Sequence, residues 1–501
     1  MSEIRTNLLK SERGDASPSA PFGLRVSGVT TTSTLTVSGD ATISGNLGVA
    51  GTITYEDVAR VDATGISTFR EGYKVGPLAG IALTAYKDGS IRTSGIVTAS
   101  SFVGDVTGTA STATSAATAY ALDSAANITT GIVTATAFVP SQGQLSHRNL
   151  IINGAMQISQ RATTSTENGY KSLDRYYVQF VGHNEALTHT QHALTSSDTG
   201  PWAKGFRNSL HIQNGNQTGG AGAGDYSRIV YNIEAQDIAN SGWDYSSATS
   251  YLTLSYWVKS SVAQNFDGYI RVPDGTAQGY SFQTGALSAN TWTKITKTIP
   301  GNANLTFDNN TSSGFAITFS LFMGTDFTDA GNTLNTWAAY ASGSRMRNNT
   351  STWYTTNDAT FEMTGLQLEV GSVATPFEHR SYADELIRCQ RYYQMYRKGS
   401  SKSLGLGFGY SANELDMPVS FITPMRDAPI IEQSVSTSGW LQIEGSGIGG
   451  GAFVNSNFTI QFATEHGGNI YVDPAASITV GAPYHLVLRN AAAYVAFSSE
   501  I

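Results

Sequence analysis

Three glycines near the C-terminal end of this 501-residue sequence match the spacing of a phosphate-binding loop. Gly445, Gly447 and Gly450 follow the dinucleotide pattern, in which the N-terminus of a following helix would hold the pyrophosphate. The residues from Ala452 to Ile460 are instead typical of a strand. The pattern therefore predicts a hairpin loop and not a nucleotide site.

Histidines and aspartates offer two other kinds of chemistry, metal binding and hydrolysis. His183, His189 and His192 lie close in sequence, but on a strand His189 and His192 point to opposite faces, and no Cys or carboxylate joins them at ligand spacing. Asp267 and Asp274 flank an expected strand, and glycan cleavage would need their carboxylates roughly 5 to 9.5 Å apart. We expect exposed or hydrogen-bonded histidines, no metal, no cofactor and no catalytic residue.

Aromatic residues are the more promising binding groups. A sugar ring packs its apolar C–H face on Trp or Tyr, while nearby amides and carboxylates fix its hydroxyls. Aromatic residues in expected loops with such neighbours are candidates for glycan contacts, although each could instead pack in a core or between subunits. These candidates are Trp202, Trp243, Tyr245, Tyr280 and Trp353, whereas Trp257 and Trp292 lie in apolar strands and are expected in the core.

The elements that would carry these residues begin with a six-residue repeat. Read with a period of two, the repeat places Val37, Ile43 and Val49 on one apolar face, with glycines between them and Thr, Ser and Asn opposite. So few hexads cannot bury this face alone, because repeat units bury their core only against neighbours. The repeat therefore predicts a narrow β-shaft built from several copies of the chain.

A second repeat extends this shaft. The run Ser94 to Gly104 recurs as Thr130 to Pro140, and the segment between them is almost entirely Thr, Ala and Ser. We assign 26–145 to the repetitive β-shaft. The charged, non-repetitive residues 1–25 precede it and are expected to attach the chain to a partner.

Aromatic strands with alternating pattern start near Ser146, separated by loops rich in Gly, Asn, Asp and Ser. They predict an antiparallel jelly-roll β-sandwich over 146–380, so the chain is expected to be all-β. The runs that carry this prediction are Ile229 to Ile233, Tyr251 to Val258, Trp292 to Ile299, Phe315 to Phe322 and Phe361 to Val370.

A helix is predicted over 381–398, followed by a small β-rich tip domain over 399–501. Ser381 can cap the helix, and Leu386, Cys389, Tyr393 and Tyr396 form one stripe along it. This stripe could pack around a symmetry axis, with Leu386 and Tyr393 as inter-subunit contacts beside Val37, Ile43 and Val49, or it could cover a sheet.

Composition excludes several classes of function. Only 14% of residues are charged and the formal net charge is −8, so there is no basic footprint for nucleic acid or for an anionic membrane. A single cysteine excludes an intrachain disulfide. No signal peptide or membrane-spanning run is visible, which predicts synthesis in a cytoplasm without membrane insertion.

Several runs of this chain resemble a known family of proteins. The run from Gly365 to Arg380, with the sequence GLQLEVGSVATPFEHR, the run Arg388 to Gln394 and the run Pro424 to Pro429 resemble the C-terminal half of tail-fibre and receptor-binding proteins of tailed bacteriophages. The run from Asn149 to Arg161 is similar to the start of the same jelly roll. The sequence Gly-Ile-Val-Thr-Ala-Ser-Ser-Phe-Val-Gly, which ends at Gly104, resembles fibres of cyanobacterial phages.

The resemblance implies a non-enzymatic, homotrimeric structural protein of the virion tail. Its N-terminus would bind a tail or baseplate protein, and its C-terminal domains would adsorb to a glycan on the host surface. The sandwich also resembles carbohydrate-binding modules, some of which hold calcium through an acidic residue where this chain has Thr364. Two alternatives stay open: a head-fibre or baseplate decoration protein without receptor recognition, and a glycan-cleaving tailspike.

Overall fold

The computed structural model describes residues 25–51, 54, 73–75, 83–86, 88, 90–93, 147–350, 352–434, 440–445, 447–454 and 458–501. The chain divides into two compact units, Met1–Thr129 and Thr130–Ile501. Apart from Arg25, the expected attachment segment 1–25 lies outside the described residues, and so does the second repeat. Among the described residues, no helix is long and apolar enough to cross a membrane.

The described residues of the first unit include a small antiparallel sheet of β1 (Tyr73–Val75), β2 (Leu83–Ala85) and β3 (Ile91–Thr93), in that order. Residues 25–51 carry no strand, and Val37, Ile43 and Val49 are 48%, 53% and 45% exposed in the single chain. These apolar residues of the hexads are thus exposed in the single chain, and the trimeric shaft stays a prediction.

The second unit begins with a β-sandwich, as expected. Within residues 147–350 and 352–370, the chain passes back and forth between two antiparallel sheets, the pattern of a jelly roll. The strands of the sandwich are β4 (Thr164–Ser165), β5 (Tyr177–Val181), β6 (Thr188–Ala193), β7 (Asn208–Gln213), β8 (Tyr226–Glu234), β9 (Tyr251–Ser260), β10 (Asn265–Val272), β11 (Gln278–Ala286), β12 (Thr293–Pro300), β13 (Ser313–Met323), β14 (Trp337–Ala339) and β15 (Thr360–Val370).

We call the two layers sheet 1 and sheet 2. Sheet 1 has the order β14-β11-β10-β13-β8-β5, and sheet 2 has the order β12-β9-β15-β7-β6-β4. Alternating side chains of both sheets meet in one core, for example Tyr256 of β9 and Phe319 of β13, whose ring centroids lie 5.0 Å apart. The prediction of an all-β fold is confirmed, and the five runs that carried it coincide with β8, β9, β12, β13 and β15, apart from Trp292, which precedes β12.

Three helices lie among the described residues: α1 (Ala235–Ala239), α2 (Thr352–Thr355) and α3 (Tyr382–Gln390). Helix α3 begins where the sequence predicts, and the backbone N–H of Asp384 donates to Ser381 Oγ over 3.2 Å. The predicted end at 398 is wrong, because the chain turns into a strand after Gln390. Leu386 is half-buried on α3, so its role as an inter-subunit contact stays a prediction.

The C-terminal region adds a three-stranded sheet, β16-β25-β19, and a seven-stranded sheet, β21-β20-β24-β17-β18-β23-β22. Gly445 pairs with Ile448 across a tight hairpin, which confirms the hairpin prediction for the glycine pattern. The strands are β16 (Tyr393–Lys398), β17 (Lys402–Ser411), β18 (Glu414–Ser420), β19 (Ile430–Gln433), β20 (Leu441–Gly445), β21 (Ile448–Phe453), β22 (Thr459–Gln461), β23 (Gly467–Val472), β24 (Pro483–Leu488) and β25 (Tyr494–Ser498).

A buried ion network joins this region to the sandwich. Glu500 pairs with Arg161 at 3.3 Å and with Arg175 at 2.6 Å. The two guanidinium groups lie over the rings of Tyr393 and Tyr392, at 3.5 and 3.4 Å from the centroids. Tyr393 is only 1% exposed, so the prediction that it contacts another subunit is wrong: its ring is used inside the chain.

Candidate functional site

The outer face of sheet 1 is set by the alternation of its strands. Along β8, Ile229 and Tyr231 are buried in the core, whereas Arg228, Val230 and Asn232 lie on the other side. This parity of two follows from strand geometry. It gives the sandwich an outer surface that mixes aliphatic, amide and cationic side chains.

A groove of about 440 Å³ crosses this outer face, and we call it the arginine groove. Val230, Ala316 and Thr318 lie along it on β8 and β13. Charged and aromatic side chains complete the lining, and these are Arg228, Tyr269, Arg271, Tyr340 and Arg345.

Arg228 is held in place by neutral partners. Its Nε and Nη2 donate to Gln179 Oε1 over 2.9 and 2.6 Å, and its Nη1 donates to the Tyr269 hydroxyl over 2.7 Å. The guanidinium also lies 4.9 Å from the ring centroid of Tyr226. These contacts orient the group without cancelling its charge.

Arg271 and Arg345 are positioned by aromatic rings. Arg271 lies over Tyr340 at 4.8 Å, and Arg345 lies over Phe327 at 4.7 Å, both suited to cation–π attraction. The Nε of Arg345 is buried and has no hydrogen-bond partner among the described residues. Burial raises the pKa of the Tyr340 phenol, so the hydroxyl stays protonated.

The segment 324–349, which includes β14, covers the neighbouring part of sheet 1. Phe327, Tyr340 and Met346 of this segment pack against Tyr226 and Tyr269. The backbone around Arg345 is fixed, since its N–H donates to the Phe327 carbonyl over 3.0 Å and its carbonyl accepts from Ser281 Oγ over 2.8 Å. The part of the segment that forms one wall of the arginine groove is therefore held in place by hydrogen bonds of its backbone.

Asp267 lies beside Tyr269 on the same face but is only 3% exposed. Its Oδ1 accepts from Gln283 Nε2 over 2.7 Å, and its Oδ2 has no partner among the described residues. Burial raises the pKa of this carboxyl to about 6. Asp274 accepts instead from the backbone N–H of Asp308. The buried Asp267 carboxyl has almost no surface with which to contact a polysaccharide.

Three of the five predicted glycan contacts lie in the sandwich core. Trp243, Tyr280 and Trp353 are 3%, 1% and 0% exposed, so they pack in the core, the alternative stated for them, and the prediction that they contact a glycan is wrong. Tyr280 points inward from β11 against Trp337, with the ring centroids 5.2 Å apart. Tyr245 is half-buried and packs on Phe307 at 4.9 Å. None of these four side chains lies in the lining of the arginine groove.

Trp202 belongs to a different surface, on the outer side of sheet 2. There it joins the half-buried Trp257 and Trp292 around Phe206, and we call these residues the tryptophan patch. The expectation that Trp257 and Trp292 lie in the core is wrong: both are half-buried, Trp257 with the outward parity of β9 and Trp292 in the loop just before β12. Arg207 lies over the Trp202 ring at 3.7 Å.

A cavity of about 370 Å³ adjoins the tryptophan patch and is lined in part by Trp257, Phe377 and Lys294. Gly365, which also lines this cavity, lets the ring of Phe206 pack closely against the backbone. Its φ is +65°, and a Cβ there would lie 2.6 Å from that ring. Asp198 fixes the Trp292 ring of the tryptophan patch, because its Oδ1 accepts from Trp292 Nε1 over 3.0 Å. The patch is a second surface with aromatic and cationic groups.

The histidines are used for hydrogen bonding. His189 is buried, with Nδ1 2.7 Å from Ser172 Oγ and Nε2 2.9 Å from the Glu167 carbonyl, which confirms the structural interpretation of this residue. Over the described part of the chain, no group of three or more His, Cys, Asp or Glu residues could hold a metal ion. Thr364, at the position compared with a calcium ligand, donates its hydroxyl to the Asn208 carbonyl over 2.7 Å.

The residues of the arginine groove were missed from sequence, although a signal for them existed. In β8 and β10, Arg228 and Arg271 share the parity of Tyr226 and Tyr269, opposite to the buried aliphatic residues. The same parity places Trp257 outward in β9. What the sequence does not indicate is that Tyr340 and Arg345, more than 60 residues later, come to line the same groove.

Comparisons with known proteins give weak similarities. No protein-family model matches the chain, and no curated protein matches it. Among solved structures, the enzymatically active domain of tailspike protein 4 of bacteriophage CBA120 shares 11% identity over 44% of this chain and 21% of that one, with a TM-score of 0.23. The chain thus matches about a fifth of that domain's length.

Two binding modules match a similar share of this chain, and the match covers almost the whole length of each module. The N-terminal cellulose-binding domain of Cellulomonas fimi β-1,4-glucanase C shares 11% identity over 44% of this chain and 99% of that one, with a TM-score of 0.22. The family 11 carbohydrate-binding module of Clostridium thermocellum, solved with a tetrasaccharide, shares 12% identity over 42% of this chain and 98% of that one, with a TM-score of 0.20. At these identities and scores, the similarity assigns no ligand or activity to this chain.

Proposed function

We propose that this chain is a non-enzymatic tail fibre of a tailed bacteriophage, and that its sandwich binds a glycan of the host surface in the arginine groove. The observation that carries the binding proposal is the groove itself. It combines a half-exposed aromatic ring, Tyr340, with oriented guanidinium donors on the solvent side of a β-sheet.

The chemistry of the groove suits a saccharide. Tyr340 offers a ring face and a protonated hydroxyl, while Thr318 and Asn232 add short polar groups along the groove. Sugar sites combine apolar surface with a few placed polar groups in this way. Because sheet 1 and the segment 324–349 are fixed by backbone hydrogen bonds, little ordering cost is expected on binding.

The fibre role rests on different features. The hexads leave Val37, Ile43 and Val49 about half exposed in a single chain, as expected of a surface that other copies cover. A homotrimer would also present three grooves, and linked sites raise the effective concentration of each weak contact. The N-terminal residues 1–25 would attach the fibre to a tail or baseplate protein, placing the protein in the virion.

Binding of the full chain to an array of bacterial surface polysaccharides tests the glycan proposal. We expect binding to a subset of polymers, without release of reducing sugar. Release of sugar would favour a tailspike. If the chain bound none of the polymers, the result would contradict the glycan proposal and favour a decoration protein.

The attachment site needs a separate experiment on particles. A gold-labelled antibody against residues 1–25 should mark the tail or baseplate end of the fibre by electron microscopy. Label at the head would contradict the tail-fibre assignment and favour a head fibre.

A further inference from the structure

We propose that the arginine groove is selective for an acidic glycan, one that carries carboxylate or sulfate groups. This inference rests on the proposed glycan binding and names the class of sugar. It starts from the charges that line the groove. Three arginines line it, Arg228, Arg271 and Arg345, and no aspartate or glutamate does. Ile501, the last residue of the sequence, also lies in the lining, where its main-chain oxygen accepts from Asn232 Nδ2 over 2.6 Å, so three positive charges face at most one terminal carboxylate.

These three guanidinium groups have no carboxylate partner in the ion pairs of the described residues. By contrast, Arg161 and Arg175 inside the chain each pair with Glu500. Two acidic residues lie close by: Asp267, beside Tyr269, is only 3% exposed, and the exposed Asp329 lines a neighbouring cavity, where its Oδ1 accepts from the backbone N–H of Gly331. A cluster of positive charge is thus maintained in a chain whose net charge is −8.

The arginines are also oriented before any ligand arrives. Arg228 is held by Gln179 and Tyr269, and the other two lie over the rings of Tyr340 and Phe327. Each keeps N–H groups free of carboxylate, and a planar guanidinium binds carboxylate or sulfate oxygens through paired hydrogen bonds. Arg345 Nε is already buried without a partner, so an anion nearby would compensate for its desolvation.

A neutral sugar fits this lining less well. It would remove water from three like charges without supplying a counter-charge, and burying an unpaired charge is costly. An acidic sugar supplies the counter-charge while its ring still packs on Tyr340. The two acidic groups share this chemistry, and the experiment separates them.

The test uses the full chain and pairs of polymers that share a backbone. One pair is dextran sulfate with dextran, and the other is polygalacturonate with its methyl ester. We expect the charged member of at least one pair to bind about tenfold or more tightly than its neutral counterpart, since charge-assisted hydrogen bonds are roughly twice as strong as neutral ones. The pair that responds shows which acidic group is preferred.

Three variants locate the effect. Arg271 is exposed, so Arg271→Gln should fold normally and weaken binding of the charged polymer about tenfold. Arg228→Gln should weaken it as well, although it also loses the bond to Tyr269. Lys294→Gln removes an exposed charge on the outer face of sheet 2 and should leave binding unchanged.

The outcomes are distinguishable. Equal binding of charged and neutral polymers would overturn the charge selectivity and leave glycan binding standing. An equal loss in Lys294→Gln would reveal general ion exchange and would also overturn the inference. If the chain bound none of the four polymers and no polysaccharide of the array, glycan binding itself would be overturned.

Discussion

Replacing Glu500 with Gln should strongly destabilise the second unit of the chain. The Glu500 carboxylate lies 3.3 Å from Arg161 and 2.6 Å from Arg175, and these side chains are 7%, 7% and 1% exposed. Gln preserves the shape and one acceptor but removes the negative charge. Arg175 would then be buried without an ionic partner, whereas Arg161 would keep only the half-exposed Glu432.

The size of the loss follows from this burial. Breaking a buried ion pair by neutralising one partner costs about 3 to 5 kcal/mol, because the remaining charge stays desolvated. The Arg175 guanidinium keeps its bond to the Asn232 carbonyl and its contact with Tyr392, so the lower end, about 3 kcal/mol, is expected. Glu444→Gln is the matched control. Its partner Arg489 is 35% exposed, and a surface pair is worth about 1 kcal/mol or less.

Urea unfolding of the full chain, followed by tyrosine and tryptophan fluorescence, measures both variants against the unmodified protein. We expect a clear downward shift of the midpoint for Glu500→Gln and a small shift for Glu444→Gln. Equal shifts would refute the reasoning, because they would mean that the network contributes no more than a surface pair. The C-terminal strands would then not be locked to the sandwich by these charges.

Three further predictions concern other parts of the chain. Asp267→Asn should stabilise the protein by up to about 3 kcal/mol at pH 8 and should have no effect near pH 4. The pKa of Asp267 is raised to about 6 in the folded state, so the unmodified protein loses stability as the pH rises from about 4 to 6. Urea unfolding of both proteins at the two pH values checks this. Ile43→Asp should break the oligomer seen by multi-angle light scattering, whereas Thr42→Asp on the opposite face should not, and a monomeric unmodified protein would contradict the shaft. Trp353→Ala should cost about 3 to 5 kcal/mol in urea unfolding, since the ring is 0% exposed, and clearly more than Trp202→Ala at the surface; equal losses would contradict the core placement.

Much of the fold was predictable because strand periodicity is local. The runs at Ile229, Tyr251 and Phe361 alternate apolar with more polar residues, which favours strands, and the sandwich follows from several such runs. The start of α3 was also local, since Ser381 caps the helix through its own side chain. The end of α3 was not, because Tyr393 leaves the helix pattern to pack under Arg161, a residue far away in sequence.

The candidate site was harder to predict for the same reason. A loop tryptophan can point outward or seal the core, and Trp353 seals it because the buried side chains of Asn214 and Gln264 bond to its backbone. Trp257 could have been placed outward by parity alone. The arginine groove, however, needs Arg228 from one strand and Tyr340 from a distant segment, and no sequence pattern of either predicts that meeting.

The most direct test of the central claim is a titration that locates the glycan site. The full chain, Tyr340→Ala and Trp202→Ala would each be titrated calorimetrically with a polysaccharide that the unmodified protein binds. Binding in the arginine groove predicts that Tyr340→Ala weakens affinity about tenfold or more, whereas Trp202→Ala on sheet 2 leaves it unchanged. Unchanged affinity in Tyr340→Ala together with a loss in Trp202→Ala would contradict the claim and move the site to the tryptophan patch.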